Sequence, residues 1–220
     1  MAISENLNRI KAQINPKVTL VAVSKTKPVS DIQEAYNAGQ RIFGENKIQE
    51  MVAKYDELPK DISWHMIGHL QKNKVKYMAH FVDLIHGVDS FTTLIEINKQ
   101  AKKHNRVIHC LLQLKIAQED SKFGLSKEEI NNILNSYDYK NMENIQVVGL
   151  MGMASFVDDK NQIKQEFSSL KAFYDELKPS QTQFNTISMG MSGDYPLAIE
   201  QGSTMIRVGS AIFGNRNYAN

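Results

Sequence analysis

Lys25 stands where an apolar run, Val18-Thr-Leu-Val-Ala-Val23, gives way to Ser24-Lys-Thr-Lys-Pro28 and a helical pattern. A lysine at the end of a buried strand is partly desolvated, which lowers its pKa and exposes an amine able to form a Schiff base with aldehydes. Taken alone, Lys25 fits better as a strand-ending lysine that snorkels to water, but its company reverses that balance. Arg207 lies inside the apolar stretch Met205-Ile-Arg-Val208, where burial without a partner is costly, so it must face a ligand, a carboxylate or a barrel mouth. Two glycine-punctuated turns, Ser188-Met-Gly-Met-Ser-Gly-Asp194 and Thr204-Met-Ile-Arg-Val-Gly-Ser210, lead into helical spacing; backbone N–H groups at such places favour an anion. The simpler account is that these glycines only shape tight turns and that Ser192 is an N-cap. Amine, anion site and buried arginine together suggest a ligand with an aldehyde, a phosphate and a hydrogen-bonding ring. Pyridoxal 5′-phosphate has all three.

These groups need a scaffold, and the sequence describes one. Short β-type runs fall at Val18–Ser24, Arg41–Gly44, Ser63–Gly68, Val82–Gly87, Val107–Lys115, Ile145–Met151, Phe184–Met189 and Thr204–Gly209. Helical spacing occurs between them at Val29–Ala38, Ile48–Leu58, Phe91–His104, Lys127–Tyr137 and Ile163–Leu177. Ser30-Asp-Ile-Gln33 and Ser126-Lys-Glu-Glu129 fit capping boxes, and Gly39 and Gly202 sit where C-terminal glycines belong. Eight β-then-α units predict a closed (β/α)8 TIM barrel in one domain over residues 1–220, with an additional N-terminal helix at Ser4–Ile14 on its lower mouth or flank. An open doubly wound sheet is the alternative; it usually has fewer strands and a glycine-rich first turn, which is missing here.

In such barrels functional groups gather at the carboxyl ends of the strands. Those ends supply Lys25, Glu45 and Asn46, His65, Met151, Gly190-Met-Ser192, and Arg207-Val-Gly-Ser210. Asn46, His65 and Met151 are therefore expected at the same mouth as Lys25, Ser192, Arg207, Gly209 and Ser210.

Composition excludes several classes. Twenty-six basic against twenty-four acidic residues give a net charge of +2, too balanced to argue for a nucleic-acid or membrane partner. Lys72-Asn-Lys-Val-Lys76 and Lys99-Gln-Ala-Lys-Lys103 lack interleaved stacking aromatics and read as solvated helix faces. The single cysteine, Cys110, allows no internal disulfide and points to a reducing, cytoplasmic setting. The first ten residues lack the apolar core of a signal peptide, and no stretch has the length of a membrane span. No metal site is expected: His65 and His69 are four apart, but one belongs to a strand and the other to a loop.

Val21-Ala-Val-Ser-Lys-Thr-Lys-Pro28, Phe43-Gly-Glu-Asn46, Trp64-His-Met-Ile-Gly-His-Leu-Gln-Lys-Asn-Lys74, Ser188-Met-Gly-Met-Ser192 and Gly202-Ser-Thr-Met-Ile-Arg-Val-Gly209 with Ile212-Phe-Gly214 closely resemble the pyridoxal phosphate homeostasis proteins, single-domain relatives of the alanine racemase barrel. The resemblance runs from about Val18 to Phe213. It implies covalent pyridoxal phosphate binding through Lys25, a phosphate held by Ser192, Gly209 and Ser210, and Arg207 facing the pyridine nitrogen. Lys27 matches a second lysine of the motif and could serve as a fallback amine, although a solvent-facing loop residue is the simpler account. Gly152 departs from the bulkier residue of many relatives and leaves the lysine and phosphate positions untouched.

The family's implied role is vitamin B6 and amino-acid homeostasis without strong catalysis, with cofactor-dependent apoenzymes as possible recipients and a monomer or weak homodimer expected. An amino-acid racemase is the alternative. It needs a second acid–base group, in racemases a tyrosine from a second domain, and this sequence runs only to Asn220, just past its eighth unit. Tyr36, Tyr55, Tyr77, Tyr137, Tyr139, Tyr174, Tyr195 and Tyr218 lie in helical or terminal segments and read as packing residues. A Schiff-base aldolase without cofactor would use a barrel lysine too, but would stay colourless.

Overall fold

Eight parallel strands close on themselves in sequence order, each hydrogen-bonded to the next and the last to the first. A computed structural model describes residues 2–117 and 123–214; Tyr218, among the tyrosines weighed above, lies outside them. The strands are β1 (Thr19–Val23), β2 (Ile42–Glu45), β3 (Ser63–Met66), β4 (Leu84–Val88), β5 (Ile108–Gln113), β6 (Ile145–Met151), β7 (Thr186–Ser188) and β8 (Met205–Val208). The barrel expected from the β/α alternation is the one observed.

Helices surround it: α1 (Ile3–Gln13), α2 (Val29–Asn37), α3 (Ile48–Glu57), α4 (Phe91–Lys103), α5 (Lys127–Asn135), α6 (Tyr137–Lys140), α7 (Lys160–Leu177), α8 (Tyr195–Glu200) and α9 (Ser210–Phe213), with a 3-10 helix at Lys72–Tyr77. The N-terminal helix takes the flank: α1 packs against α2 and α9, and Asn6 donates to the Ile212 carbonyl. Gly39 and Gly202 follow their helices at φ 85° and 93°, and the Ser126–Glu129 capping box closes α5. The Ser30 box does not form, because Pro28 already presets the chain and α2 begins at Val29, two residues too early for Ser30 to cap it. The pattern expected to run from Lys127 to Tyr137 breaks at Ser136, whose hydroxyl accepts from the Tyr139 N–H and donates to the Ile133 carbonyl.

Side chains alternate across each strand. Phe43, Trp64, Cys110 and Leu150 join the layer between sheet and helices, whereas Val21, Leu84, Leu111, Val148, Met151 and Met205 fill the barrel's axis. Two strands change phase: β4 gains a residue against β5 between Ile85 and Val88, and β6 does the same. Between β5 and β6 the register slips, Cys110 facing Val147 and Leu111 facing Gly149, so one extra residue is inserted. Gly149 makes this possible at φ 157°, where a Cβ would lie 1.7 Å from the Thr186 carbonyl oxygen. Beyond the bulge the inward residues become Met151 and Met153.

Candidate cofactor site at the barrel mouth

A cavity of about 730 Å³ opens at the carboxyl ends of the strands, lined by Lys25, Asn46, Ser192, Arg207, Gly209 and Ser210 among others. Six of the eight expected site residues are thus brought together. Two are not. Met151 is 1% exposed in the barrel's axial core, one layer too deep, and Met153 takes its place at the mouth. His65 lines a separate cavity of about 510 Å³ at the amino ends of the strands, with Ile67 reaching the mouth instead. Both corrections have one cause: inward side chains stack in layers two residues apart, so a strand's last residues need not be its top layer.

The half-buried Lys25 follows a strand whose exit is clamped from behind. Lys54 on α3 donates from Nζ to the Ser24 carbonyl, Glu45 Oε1 and Glu50 Oε1, each at 2.7 Å. Ser24 donates to Glu45 Oε1 at 2.6 Å, and the Thr26 N–H donates to Glu50 Oε1 at 2.5 Å. Both neighbours of Lys25 are therefore fixed to one ion-pair network. Thr26 is held at φ 63°, a conformation that costs a β-branched residue about 1 kcal/mol or more. Burial pushes the Glu45 carboxyl up from its usual range, opposed by the Lys54 charge. Its second oxygen, Oε2, is buried without a hydrogen-bond partner.

The last two turns build another part of the cavity wall. Gly190 sits at φ 97°, where a Cβ would approach that of Ala198 to 2.6 Å, so the turn closes tightly over α8. The turn delivers Ser192, whose Oγ accepts from the backbone N–H groups of Gly209 at 3.1 Å and Ala211 at 3.4 Å. Two main-chain donors thus converge on one oxygen at the cavity wall, an arrangement that also suits a phosphate oxygen. Ser192 thus caps the start of α9 from the neighbouring turn. Lys27 Nζ donates to the Phe213 carbonyl at 2.9 Å, which ties that lysine to the end of α9.

Arg207 is 3% exposed, and its partners are Ser188 Oγ at 2.5 Å and the Gly152 carbonyl at 3.1 Å, neither of them a carboxylate. Burial lowers its pKa to about 10, with the Asp194 charge acting the other way, so the guanidinium stays charged at neutral pH. Behind it run Ser188, His86 and His65 in hydrogen-bonded sequence. Sequence reasoning missed Ser188 and His86, although His86 carries the signal that exposed Arg207: a polar residue amid apolar ones in Leu84-Ile-His-Gly-Val88.

Comparison with known proteins agrees with this geometry. The alanine racemase N-terminal domain family matches residues 1–217. The chain is 38% identical over 205 residues to the pyridoxal phosphate homeostasis protein of Aquifex aeolicus, covering 90% of this chain and 87% of that one. It is 36% identical over 234 residues to the protein of that name from Pasteurella multocida, covering 100% of each. The chain belongs to the pyridoxal phosphate homeostasis protein family. PipY of Synechococcus elongatus, solved with pyridoxal phosphate bound, superposes with a TM-score of 0.88 at 36% identity, covering 96% of this chain and 100% of that one. An alanine racemase of Clostridium difficile superposes at 0.83 but is only 14% identical, and this chain covers 58% of it. The likeness to that racemase shows the fold.

Among the described residues no helix is long and apolar enough to cross a membrane. No cluster of three His, Cys, Asp or Glu side chains suited to a metal occurs among them either.

Proposed function

We propose that this chain binds pyridoxal 5′-phosphate reversibly through Lys25 and carries or buffers it in vitamin B6 and amino-acid homeostasis, without strong turnover. The observation that carries this reading is convergence. One cavity holds a half-buried amine, a charged buried guanidinium and two backbone N–H groups focused on one oxygen. The cofactor supplies an aldehyde able to condense with an amine and release it again by hydrolysis. Lys25 offers the amine, the Ser192, Gly209 and Ser210 region the phosphate contacts, Arg207 a cation for the ring nitrogen, and Asn46 a polar edge of the mouth. An arginine beside that nitrogen disfavours its protonation, since two adjacent cations repel, and weakens the ring as an electron sink.

The racemase reading would need a tyrosine at the mouth, and among the described residues none lines the cavity, whose ionisable groups besides Lys25 and Arg207 are Lys27, Asp158 and Asp194. The proposed recipients are cofactor-dependent apoenzymes. We place the protein in the cytoplasm as a monomer or weak homodimer, on its single, fully buried cysteine and near-neutral charge.

The test is spectroscopic. Incubation with pyridoxal 5′-phosphate should turn the protein yellow, and borohydride should fix the cofactor covalently in the wild type and not in Lys25→Ala. A protein that stays colourless, or a Lys25→Ala variant labelled in full, refutes the assignment.

A further inference from the structure

We propose that Ser188, His86 and His65 form a one-way chain of hydrogen bonds along the barrel's axis that positions Arg207 in the mouth cavity. Three distances define it: Arg207 Nη1 to Ser188 Oγ at 2.5 Å, Ser188 Oγ to His86 Nδ1 at 2.9 Å, and His86 Nε2 to His65 Nδ1 at 3.0 Å. All four side chains are buried, Ser188 and His86 completely.

Direction follows from counting protons. Arginine only donates, so Ser188 Oγ must accept from it. The single Ser188 proton then needs an acceptor, and His86 Nδ1 is the one hydrogen-bonded to it. A lone pair at Nδ1 places the proton of a neutral imidazole on Nε2. His86 Nε2–H therefore donates to His65 Nδ1, which in turn places the His65 proton on Nε2. His65 lines the cavity at the amino ends of the strands, where solvent can reach that last N–H. Run the other way, the chain would leave the Ser188 proton buried without an acceptor, an arrangement that folded proteins avoid.

No second protonation state competes. A proton added to either histidine would set two donors against each other. Burial opposes it at His65, and burial together with the charges of His65 and Arg207 opposes it at His86. Asp194 is the carboxylate whose charge reaches Arg207, and it belongs to the anion turn, not to the axis. The result is a guanidinium held by two neutral acceptors, Ser188 and the Gly152 carbonyl, which orient it and leave its charge intact for the mouth. The histidines reach Arg207 through Ser188, so they are positioning residues.

Two measurements test this. In cofactor-free protein, ¹⁵N spectra of labelled histidine should show His65 and His86 as neutral Nε2–H tautomers at pH 7; an Nδ1–H tautomer or an imidazolium at either ring overturns the chain. The second arm rests on the pyridoxal phosphate reading. Ser188→Ala should weaken pyridoxal 5′-phosphate binding about tenfold, the equivalent of one lost charge-assisted hydrogen bond, and shift the bound cofactor's absorbance maximum. Ser188→Thr, which keeps the hydroxyl, should restore both. Unchanged affinity and spectrum in Ser188→Ala would overturn the positioning role. Failure of the wild type to bind would refute the cofactor reading while the tautomer result stood on its own.

Discussion

Lowering the pH from 7 to 5 should destabilise this protein through two histidines that the barrel keeps neutral. His65, 4% exposed, has its pKa lowered from 6.5 to about 3 by burial. His86, fully buried, is lowered well below the same value by burial, by His65 and by Arg207. The unfolded chain therefore binds protons that the folded chain refuses. Such groups contribute stability that is present in full above the unfolded pKa and is lost as pH falls toward the folded one. Between pH 7 and 5 His65 forfeits about 2 kcal/mol, and His86 adds to the loss with the same sign. With a urea m-value of roughly 2–3 kcal/mol per molar for a chain of this size, the His65 share alone should lower the midpoint by about 0.8 M. Glu45 acts with the opposite sign: its raised carboxyl adds stability that is present at low pH and lost as pH rises through its folded pKa. The discriminating quantity is accordingly the difference between wild type and His65→Gln, in which Glu45 cancels. The variant should lose about 2 kcal/mol less than the wild type over the same interval. Parallel curves for the two proteins would show that His65 is not held neutral and would undo the reasoning.

Three further outcomes follow from single contacts. Lys54→Met strands the fully buried Glu45 carboxylate and the Ser24 carbonyl, so urea denaturation should show a loss of about 3–5 kcal/mol, partly recovered by adding Glu45→Gln. Ser192→Ala removes the hydroxyl on which the Gly209 and Ala211 N–H groups converge and should weaken pyridoxal phosphate retention in equilibrium dialysis by about 1.5–3 kcal/mol; equal retention would move the phosphate elsewhere. Cys110 is completely buried, and burial pushes its thiol far up, so a thiol-reactive dye should label it only once denaturant is added.

How much of this was legible in the sequence depends on which physical rule each feature obeys. Closure into a barrel was legible because eight apolar runs alternate with helical spacing, and parallel strands buried on both faces leave little else to form. Lys25, Asn46, Ser192, Arg207, Gly209 and Ser210 were legible because each sits at or just beyond the end of such a run, and they share one cavity. Met151 and His65 were misplaced because sequence gives the end of an apolar run but not the layer that end occupies. On β6 the inserted residue at the Cys110–Leu111 slip shifts the inward phase from Val148 to Met151, and no period-two reading crosses that bulge intact. The Lys54 clamp joins residues of three segments, Ser24, Glu45 and Glu50 with Lys54; only its Glu50–Lys54 pair has helical spacing to betray it. The axial chain is the instructive case. Arg207 and His86 break apolar runs in the same way, and either alone reads as an expensive burial. Read together, two unexplained polar residues on inward positions of a closed barrel imply that they satisfy each other, and Ser188 is the hydroxyl that joins them. The burial cost that marked Arg207 as a site residue therefore also marks the residues that orient it.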